Sequence, residues 1–100
     1  MEININSVHF TADKKLVDFV NRKVNKLDTF FDGIIGAEVT LKVLKPEVNN
    51  NKLSEIKISI PSNGYLFAKK KADTFEEATD LSVDAVRKQL GRYKQKLKKK

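Results

Sequence analysis

The residues of this chain whose types and spacing could do chemistry are concentrated at its C-terminal end. The last fourteen residues, 87–100, carry eight Lys or Arg and no Asp or Glu, on a chain whose net charge is +7. Everything before them therefore sums to −1. Such a one-sided distribution attracts polyanions, because the fields of like charges add at one end of the molecule. The chemistry that this end predicts is phosphate binding, with RNA as the first partner to consider.

The residues that catalysis or metal binding would need are sparse. His9 is the only histidine, and the chain has no cysteine. Neither a Ser-His-acid arrangement nor a metal-ligand spacing can be assembled from the remainder. Glu76 and Glu77 could exchange protons, but their position at a helix start is better explained by capping. We therefore predict no enzyme, no metal, no cofactor and no small-molecule substrate, and we interpret His9 as a structural residue in a strand.

Length and composition predict a single domain. One hundred residues, 40% hydrophobic and 33% charged, suffice for one modest core. We expect the domain to span residues 1–100, with 98–100 as a short basic tail. The N-terminus lacks the pattern of a secretory signal, and no segment approaches the roughly eighteen apolar residues of a membrane span. Since the chain also lacks cysteine, we expect a soluble, cytoplasmic protein that is a monomer when free.

Alternating apolar residues predict four strands that must position the basic end. Residues 2–10 alternate with a change of phase near residues 6 and 7, which predicts a strand with a bulge or a break. Alternation predicts further strands over 37–43, 56–60 and 65–72. Turn residues separate the last three strands, so we expect them to form an antiparallel meander.

Two helices are predicted from apolar residues that recur every three or four positions. Thr11 is the candidate cap of the first helix, which should run to about Asp28. Its apolar stripe is Leu16, Val20, Val24 and Leu27. Thr74, with Glu77 three residues later, matches a capping box at the start of the last helix. The stripe of that helix is Val83, Val86, Leu90, Tyr93 and Leu97.

The order of elements is therefore β-α-β-β-β-α. The first strand, helix and second strand should form a parallel, right-handed crossover. We predict an α+β fold in which a four-stranded mixed sheet carries both helices on one face. The part after the first strand is similar in its order to a double-stranded RNA-binding domain, where phosphate and 2′-hydroxyl contacts dominate.

Two short segments match RNA-binding motifs by their letters. Residues 33–36, GIIG, match the loop of KH domains, but they join a helix to a strand and are better interpreted as a turn. Residues 64–68, GYLFA, resemble the stacking strand of an RRM, with Tyr65 and Phe67 on one face. Because the element order differs from that of an RRM, we predict that both rings face the helices as part of the core.

The cations of both helices lie beside or opposite the apolar stripes. In the first helix Lys15, Arg22 and Lys26 share one flank, with Lys23 nearby. In the last helix Arg87 and Lys94 lie beside the stripe, and Lys88 and Arg92 lie opposite it. Complementing the helix dipole needs only a few charges in the final turn. Eight cations without an acid therefore favour phosphate binding.

Four segments in the same order resemble one known family. They are KLDTFFDGI, followed by the strand AEVTLKVLK, the ADTFEEATD opening of the final helix, and its QLxxYKxKL ending. Together they make the chain similar, over essentially all 100 residues, to the ribosome hibernation promoting factors, also called ribosome-associated translation inhibitors.

This resemblance implies a cytoplasmic protein that binds 16S rRNA in the decoding channel of the small ribosomal subunit. There it would block messenger and transfer RNA and inhibit translation under stress or in stationary phase. Longer family members add a domain that pairs ribosomes, so the resemblance is to the short form. The residues that correspond to the family's RNA contacts are Arg22, Lys23, Lys26, Arg87, Lys88, Arg92, Lys94 and Lys96.

Two alternatives fit the same charges. A generic RNA- or DNA-binding module would use the basic end without a ribosomal target. A basic amphipathic helix can also lie on an anionic membrane. We do not expect membrane binding, because the apolar stripe of the last helix is needed to cover the sheet.

Overall fold

The computed structural model describes residues 1–61 and 64–98. Its elements are β1 (Glu2–Val8), α1 (Lys14–Asn25), α2 (Leu27–Phe30), β2 (Gly36–Val43), β3 (Lys52–Ile60), β4 (Gly64–Ala72) and α3 (Phe75–Lys98). This confirms the predicted order, with a short α2 in addition. Apart from the helical backbone of Lys98, the basic tail expected at 98–100 lies outside the described residues.

The four strands form one mixed sheet in the order β1-β2-β3-β4. β1 pairs with β2 in parallel, and the other two pairs are antiparallel. The β1–β2 register runs without interruption from Glu2 opposite Gly36 to Val8 opposite Lys42, so the predicted bulge or break is wrong. His9 is not in the strand, because its φ of 70° turns the chain away immediately after Val8.

One face of the sheet forms the hydrophobic core with the helices. The centre of the sheet contributes Val39, Ile56 and Ile58, all fully buried. Against them pack four fully buried helix residues, which are Val20, Val24, Val86 and Leu90. These belong to the two predicted stripes, so the prediction that both helices cover one face of the sheet is confirmed.

The start of α1 differs from the prediction. Asp13, not Thr11, caps the helix, and its Oδ1 accepts a hydrogen bond of 2.9 Å from the Leu16 N–H. The short carboxylate reaches the third N–H of the helix, which is the position that an N-cap satisfies. The helix also ends at Asn25 rather than near Asp28, because α2 follows as a separate turn.

The start of α3 agrees with the prediction. Thr74 Oγ1 accepts a hydrogen bond of 3.1 Å from the Glu77 N–H, as one half of a capping box does. The helix then continues through Gly91 to the end of the described chain. Within residues 1–61 and 64–98, no helix combines the length and apolarity needed to cross a membrane.

A buried polar contact joins β3 to α3. Ser54 of β3 and Thr79 and Ser82 of α3 are all fully buried. The Oγ atoms of Ser54 and Ser82 are 3.2 Å apart, and Ser82 Oγ lies 3.0 Å from the Ala78 carbonyl oxygen. Buried hydroxyls need such partners, and a helix displaced along the strand would lose them. The contact therefore sets the position of α3, and with it the position of its cations, on the sheet.

Candidate nucleic-acid interface

The first helix directs Arg22 away from the sheet. Arg22 lies midway in sequence between Val20 and Val24, both of which are fully buried. At 3.6 residues per turn, Arg22 is about 160° around the helix from each of them. Arg22 is exposed, as is Lys26 immediately after the helix end. The outward side of α1 therefore carries two exposed cations.

The last helix repeats this arrangement. Lys88 lies midway between the fully buried Val86 and Leu90, and Arg92 lies two residues beyond Leu90. Both cations are thus about 160° from Leu90, and both are exposed. Since α1 and α3 cover the same face of the sheet, Arg22 and Lys88 point to the same side of the molecule. Lys96, two turns beyond Lys88, is also exposed.

Lys23 lies between the two helices. Its Nζ is 3.1 Å from Asp80 Oδ1 on α3, and its side chain is 30% exposed. The ring of Phe19 lies close to it, with its centroid 5.5 Å from Nζ, and Arg22 is 5.6 Å from the same ring. Lys23 therefore links α1 to α3 while remaining near the outward cations.

Two cations of α3 lie against the aromatic ring of Phe30. The Arg87 guanidinium lies 5.7 Å and the Lys94 ammonium 5.3 Å from the centroid of the Phe30 ring. Lys94 Nζ also donates a hydrogen bond of 3.1 Å to the Phe30 carbonyl oxygen at the end of α2. A cation is favourable against the carbonyl end of a helix. Lys94 therefore has a structural role besides any role in binding.

Asp84 offsets part of the positive charge in the free protein. Its carboxylate is 2.8 Å from Arg87 Nη2 and 3.3 Å from Lys88 Nζ. The hydrogen bond from Arg87 and then that from Lys88 hold the pKa of the Asp84 carboxyl below its usual range. The carboxylate thus stays ionised and orients both cations toward the outward side of α3.

We call the surface of α1 and α3 away from the sheet, including the cations held between the helices, the basic helix face. It carries all eight predicted contact residues, which are Arg22, Lys23, Lys26, Arg87, Lys88, Arg92, Lys94 and Lys96. The structure divides them into outward cations and cations held between the helices. Sequence reasoning missed three neighbours that orient these cations, namely Phe30, Asp80 and Asp84. Asp84 could have been found from its spacing of three and four residues to Arg87 and Lys88. No sequence spacing identifies Phe30 or Asp80, because each contacts cations on a different helix from its own.

The chemistry available on the basic helix face is recognition of anionic oxygens. Guanidinium groups donate in a planar fork that matches phosphate, and ammonium groups act as point charges. In the described ranges, His, Cys, Asp and Glu do not group in threes or more where a metal ion could be held.

The fold and this surface define a class, that of α+β domains in which a cationic helix layer covers a four-stranded sheet. A family match makes the assignment specific. The chain belongs to the family described as Sigma 54 modulation protein / S30EA ribosomal protein, which it matches over residues 3–98. This confirms the family resemblance found in the sequence.

Curated relatives are similar over the full chain. The ribosome hibernation promoting factor of Klebsiella oxytoca is 29% identical over 98 residues, covering 98% of each protein. The ribosome hibernation promotion factor of Bacillus subtilis (strain 168) is 27% identical over 101 residues. That match covers 100% of this chain and 52% of the relative, so the chain spans about half of the longer protein.

Two solved structures share the fold. The N-terminal domain of Protein Y from Thermus thermophilus gives a TM-score of 0.78 at 23% identity, covering 93% of this chain and 99% of that domain. A ribosomal subunit interface protein from Coxiella burnetii gives a TM-score of 0.81 at 18% identity, covering 95% and 99%. The similarity confirms the predicted mixed sheet with two helices on one face.

Proposed function

We propose that this protein is a cytoplasmic ribosome hibernation factor that acts by occupying a site and not by catalysis. It places the basic helix face against 16S rRNA in the decoding channel of the small ribosomal subunit. Occupation of that channel excludes messenger RNA and transfer RNA, and translation stops under stress or in stationary phase. The family and the names of the two curated relatives support a role in ribosome hibernation.

One observation carries the proposal: Arg22 and Lys88 stand opposite the buried stripes of two neighbouring helices. Each is therefore directed away from the sheet by the same residues that anchor its helix, Val20 and Val24 in one case and Val86 and Leu90 in the other. The cations do not depend on a flexible loop for their positions. A fixed array of cations fits an RNA surface by shape and charge, and such recognition needs no reading of bases.

The dimensions of the domain suit a blocking role. Its principal-axis extents are 50 × 23 × 20 Å, so it is an elongated body, and its helix layer carries the basic helix face. Each phosphate neutralised by a Lys or Arg releases condensed counterions, which supplies much of the affinity. The buried contact between β3 and α3 keeps the array rigid, and a rigid surface loses little conformational entropy on binding.

The proposal is tested by co-sedimentation with purified small ribosomal subunits. The variant Lys88→Glu/Arg92→Glu reverses two outward cations that hold no other element in place. Lys94 is left unchanged, because its hydrogen bond to Phe30 supports α2. We expect binding at least about 100-fold weaker, since contacts to charged groups contribute about 1.5 to 3 kcal/mol each. In the same reactions, the unaltered protein should displace labelled messenger and transfer RNA from the subunit.

The matched control is Lys45→Glu/Lys70→Glu, which makes the same change of charge at two exposed lysines outside α1 and α3. We expect the control to bind subunits almost as the unaltered protein does. Equal weakening in both variants would contradict the proposal, because binding would then follow net charge alone. Loss of subunit binding in excess duplex DNA would favour a generic nucleic-acid module. Flotation with anionic liposomes, without subunit binding, would favour a membrane-surface domain.

A further inference from the structure

The sheet surface opposite the helices exposes two aromatic rings. Leu66 and Ala68 lie opposite the fully buried Ile58 and Ile56 in the β3–β4 register, so they face the helices. Tyr65 and Phe67 alternate with them and are 60% and 44% exposed. The prediction that these rings belong to the core is therefore wrong. At about 3.3 Å per residue, their positions on this outer sheet face are about 6.6 Å apart.

Cations lie beside and beyond the two rings. Lys57 is directly opposite Phe67, and its Nζ is 4.7 Å from the centroid of the Tyr65 ring. Lys69 and Lys71 continue the same alternation along β4, and both are exposed. The acids nearby are Glu55, whose Oε2 is 3.7 Å from Lys69 Nζ, and Glu38, which pairs opposite Lys57. Lys69 remains 57% exposed despite its partner.

The row of rings and lysines on β4 ends at a basic cleft of about 1010 Å³. Five lysines line it, which are Lys42, Lys45, Lys69, Lys70 and Lys71, and Val43, Leu44 and Val48 form an apolar part of its wall. Its described lining contains no Asp or Glu. The two described non-glycine residues with positive φ, His9 at 70° and Asn50 at 57°, both line this cleft. Asn and His adopt the left-handed region more readily than most non-glycine residues, so these two residues shape the backbone around the cleft.

The backbone edge of β4 is already hydrogen-bonded at Phe67, one of the two exposed rings. The Gln89 side chain donates a hydrogen bond of 2.7 Å to the Phe67 carbonyl oxygen, and its Oε1 lies 3.3 Å from the Phe67 nitrogen, which donates to it. These are the backbone groups that an added peptide strand would use. A partner at this point must therefore approach the face of the sheet and not its edge, which disfavours strand addition by a peptide.

We propose that the outer sheet face binds an unpaired RNA strand. Two bases stack on Tyr65 and Phe67, and the phosphates lie against Lys57, Lys69 and Lys71 and enter the cleft. Proteins bind single-stranded nucleic acid through exposed aromatic rings combined with cations. The rings stack on the faces of the bases, and the cations pair with the charged phosphates of the backbone. A duplex cannot bind in this way, since its bases are already stacked on one another. This surface lies on the opposite side of the sheet from the basic helix face and is a separate site.

The test measures binding of a dye-labelled ten-nucleotide oligouridine by fluorescence anisotropy. The measurement uses Arg22→Gln/Lys26→Gln/Lys88→Gln/Arg92→Gln/Lys96→Gln protein, in which the outward cations of the basic helix face are neutralised. In this protein, Tyr65→Ala or Phe67→Ala should each weaken binding roughly 5- to 150-fold. Phe67→Leu should weaken it as much as Phe67→Ala does, because leucine keeps apolar surface but has no stacking face. Tyr65→Phe retains the ring and should bind within about twofold of its parent.

Leu81→Ala is the matched control, because Leu81 is an equally exposed apolar residue, 44%, on α3. It should leave oligouridine binding unchanged. Unchanged binding in the Tyr65→Ala and Phe67→Ala proteins would overturn the proposal. Full binding by Phe67→Leu would also overturn it and would indicate an apolar surface for a protein partner. The proposal would also be overturned if duplex RNA competed for the site as effectively as unlabelled oligouridine. None of these results bears on subunit binding through the basic helix face, so the two proposals fail separately.

Discussion

At the scale of single residues, the free protein partly neutralises its own candidate binding surface. Asp84 pairs with both Arg87 and Lys88, and Asp80 pairs with Lys23. Exposed ion pairs contribute little to stability. Their effect here is to hold long, mobile side chains in place, so that less conformational freedom is lost when phosphates replace the carboxylates.

The pKa of Asp84 provides a direct check of this pairing. In Arg87→Gln protein the first of its two hydrogen-bonded cations is gone, so the pKa of the Asp84 carboxyl should rise toward its ordinary value. Because the folded-state pKa is lowered, the pairing stabilises the protein at neutral pH and is lost as the pH falls through that pKa. Side-chain carboxyl NMR titration measures the change. An unchanged titration of Asp84 would show that Arg87 is not its main partner.

At the scale of elements, a side chain of α3 covers part of the exposed edge of β4. Gln89 occupies the backbone groups of Phe67 that an edge strand would otherwise leave open. Unpaired edges invite pairing with other chains, and a covering helix is one of the ways in which proteins prevent it. The helix that carries the candidate RNA contacts thus also protects β4.

Gln89→Ala should therefore weaken the link between α3 and β4. Gln89 makes two exposed hydrogen bonds to Phe67. At about 0.5 kcal/mol each, the low end for such bonds, their loss should lower the free energy of unfolding by about 1 kcal/mol. For a domain of this size, that corresponds to a fall in Tm of about 4 to 8 °C. The Phe67 amide should also exchange its hydrogen faster. Gln95→Ala, at another exposed position of α3, is the control, and an equal fall in Tm in both variants would contradict this role for Gln89.

At the scale of the whole molecule, the sheet separates two cationic surfaces. The basic helix face lies on one side, and the rings and lysines of the outer sheet face lie on the other. Charge on opposite sides favours engagement of two anionic segments, one per side, while the single core keeps their spacing constant. The net charge of +7 also speeds encounter with a polyanion at low salt.

The salt dependence of subunit binding follows from the number of outward cations. If Arg22, Lys26, Lys88 and Arg92 each neutralise one phosphate, the logarithm of the association constant should fall with the logarithm of salt concentration with a slope of about −3. Binding measured between about 50 and 200 mM potassium chloride at fixed magnesium tests this. The Lys88→Glu/Arg92→Glu protein should show a clearly shallower slope, and an identical slope would mean that those residues contact no phosphate.

The sequence by itself determined the order of elements, the two helix stripes and the position of Lys88 opposite the stripe of its helix. Helical periodicity decides these directly, because residues midway between buried positions point away from the core. It also determined the concentration of positive charge at the end of the chain. The sequence did not determine the helix cap, because Thr11 and Asp13 are both capping residue types. Only the folded chain shows that Asp13 Oδ1 accepts a hydrogen bond from the Leu16 N–H.

Tertiary structure alone decided which face Tyr65 and Phe67 occupy. Both phases of β4 contain apolar residues, so alternation does not say which phase is buried. The register does, because Ala68 pairs with Ile56 and Phe67 pairs with Lys57. The helices then cover the isoleucine side and leave the rings exposed. In the same way, only packing between elements brings Phe30 to Arg87 and Lys94, since contacts between distant segments have no sequence period.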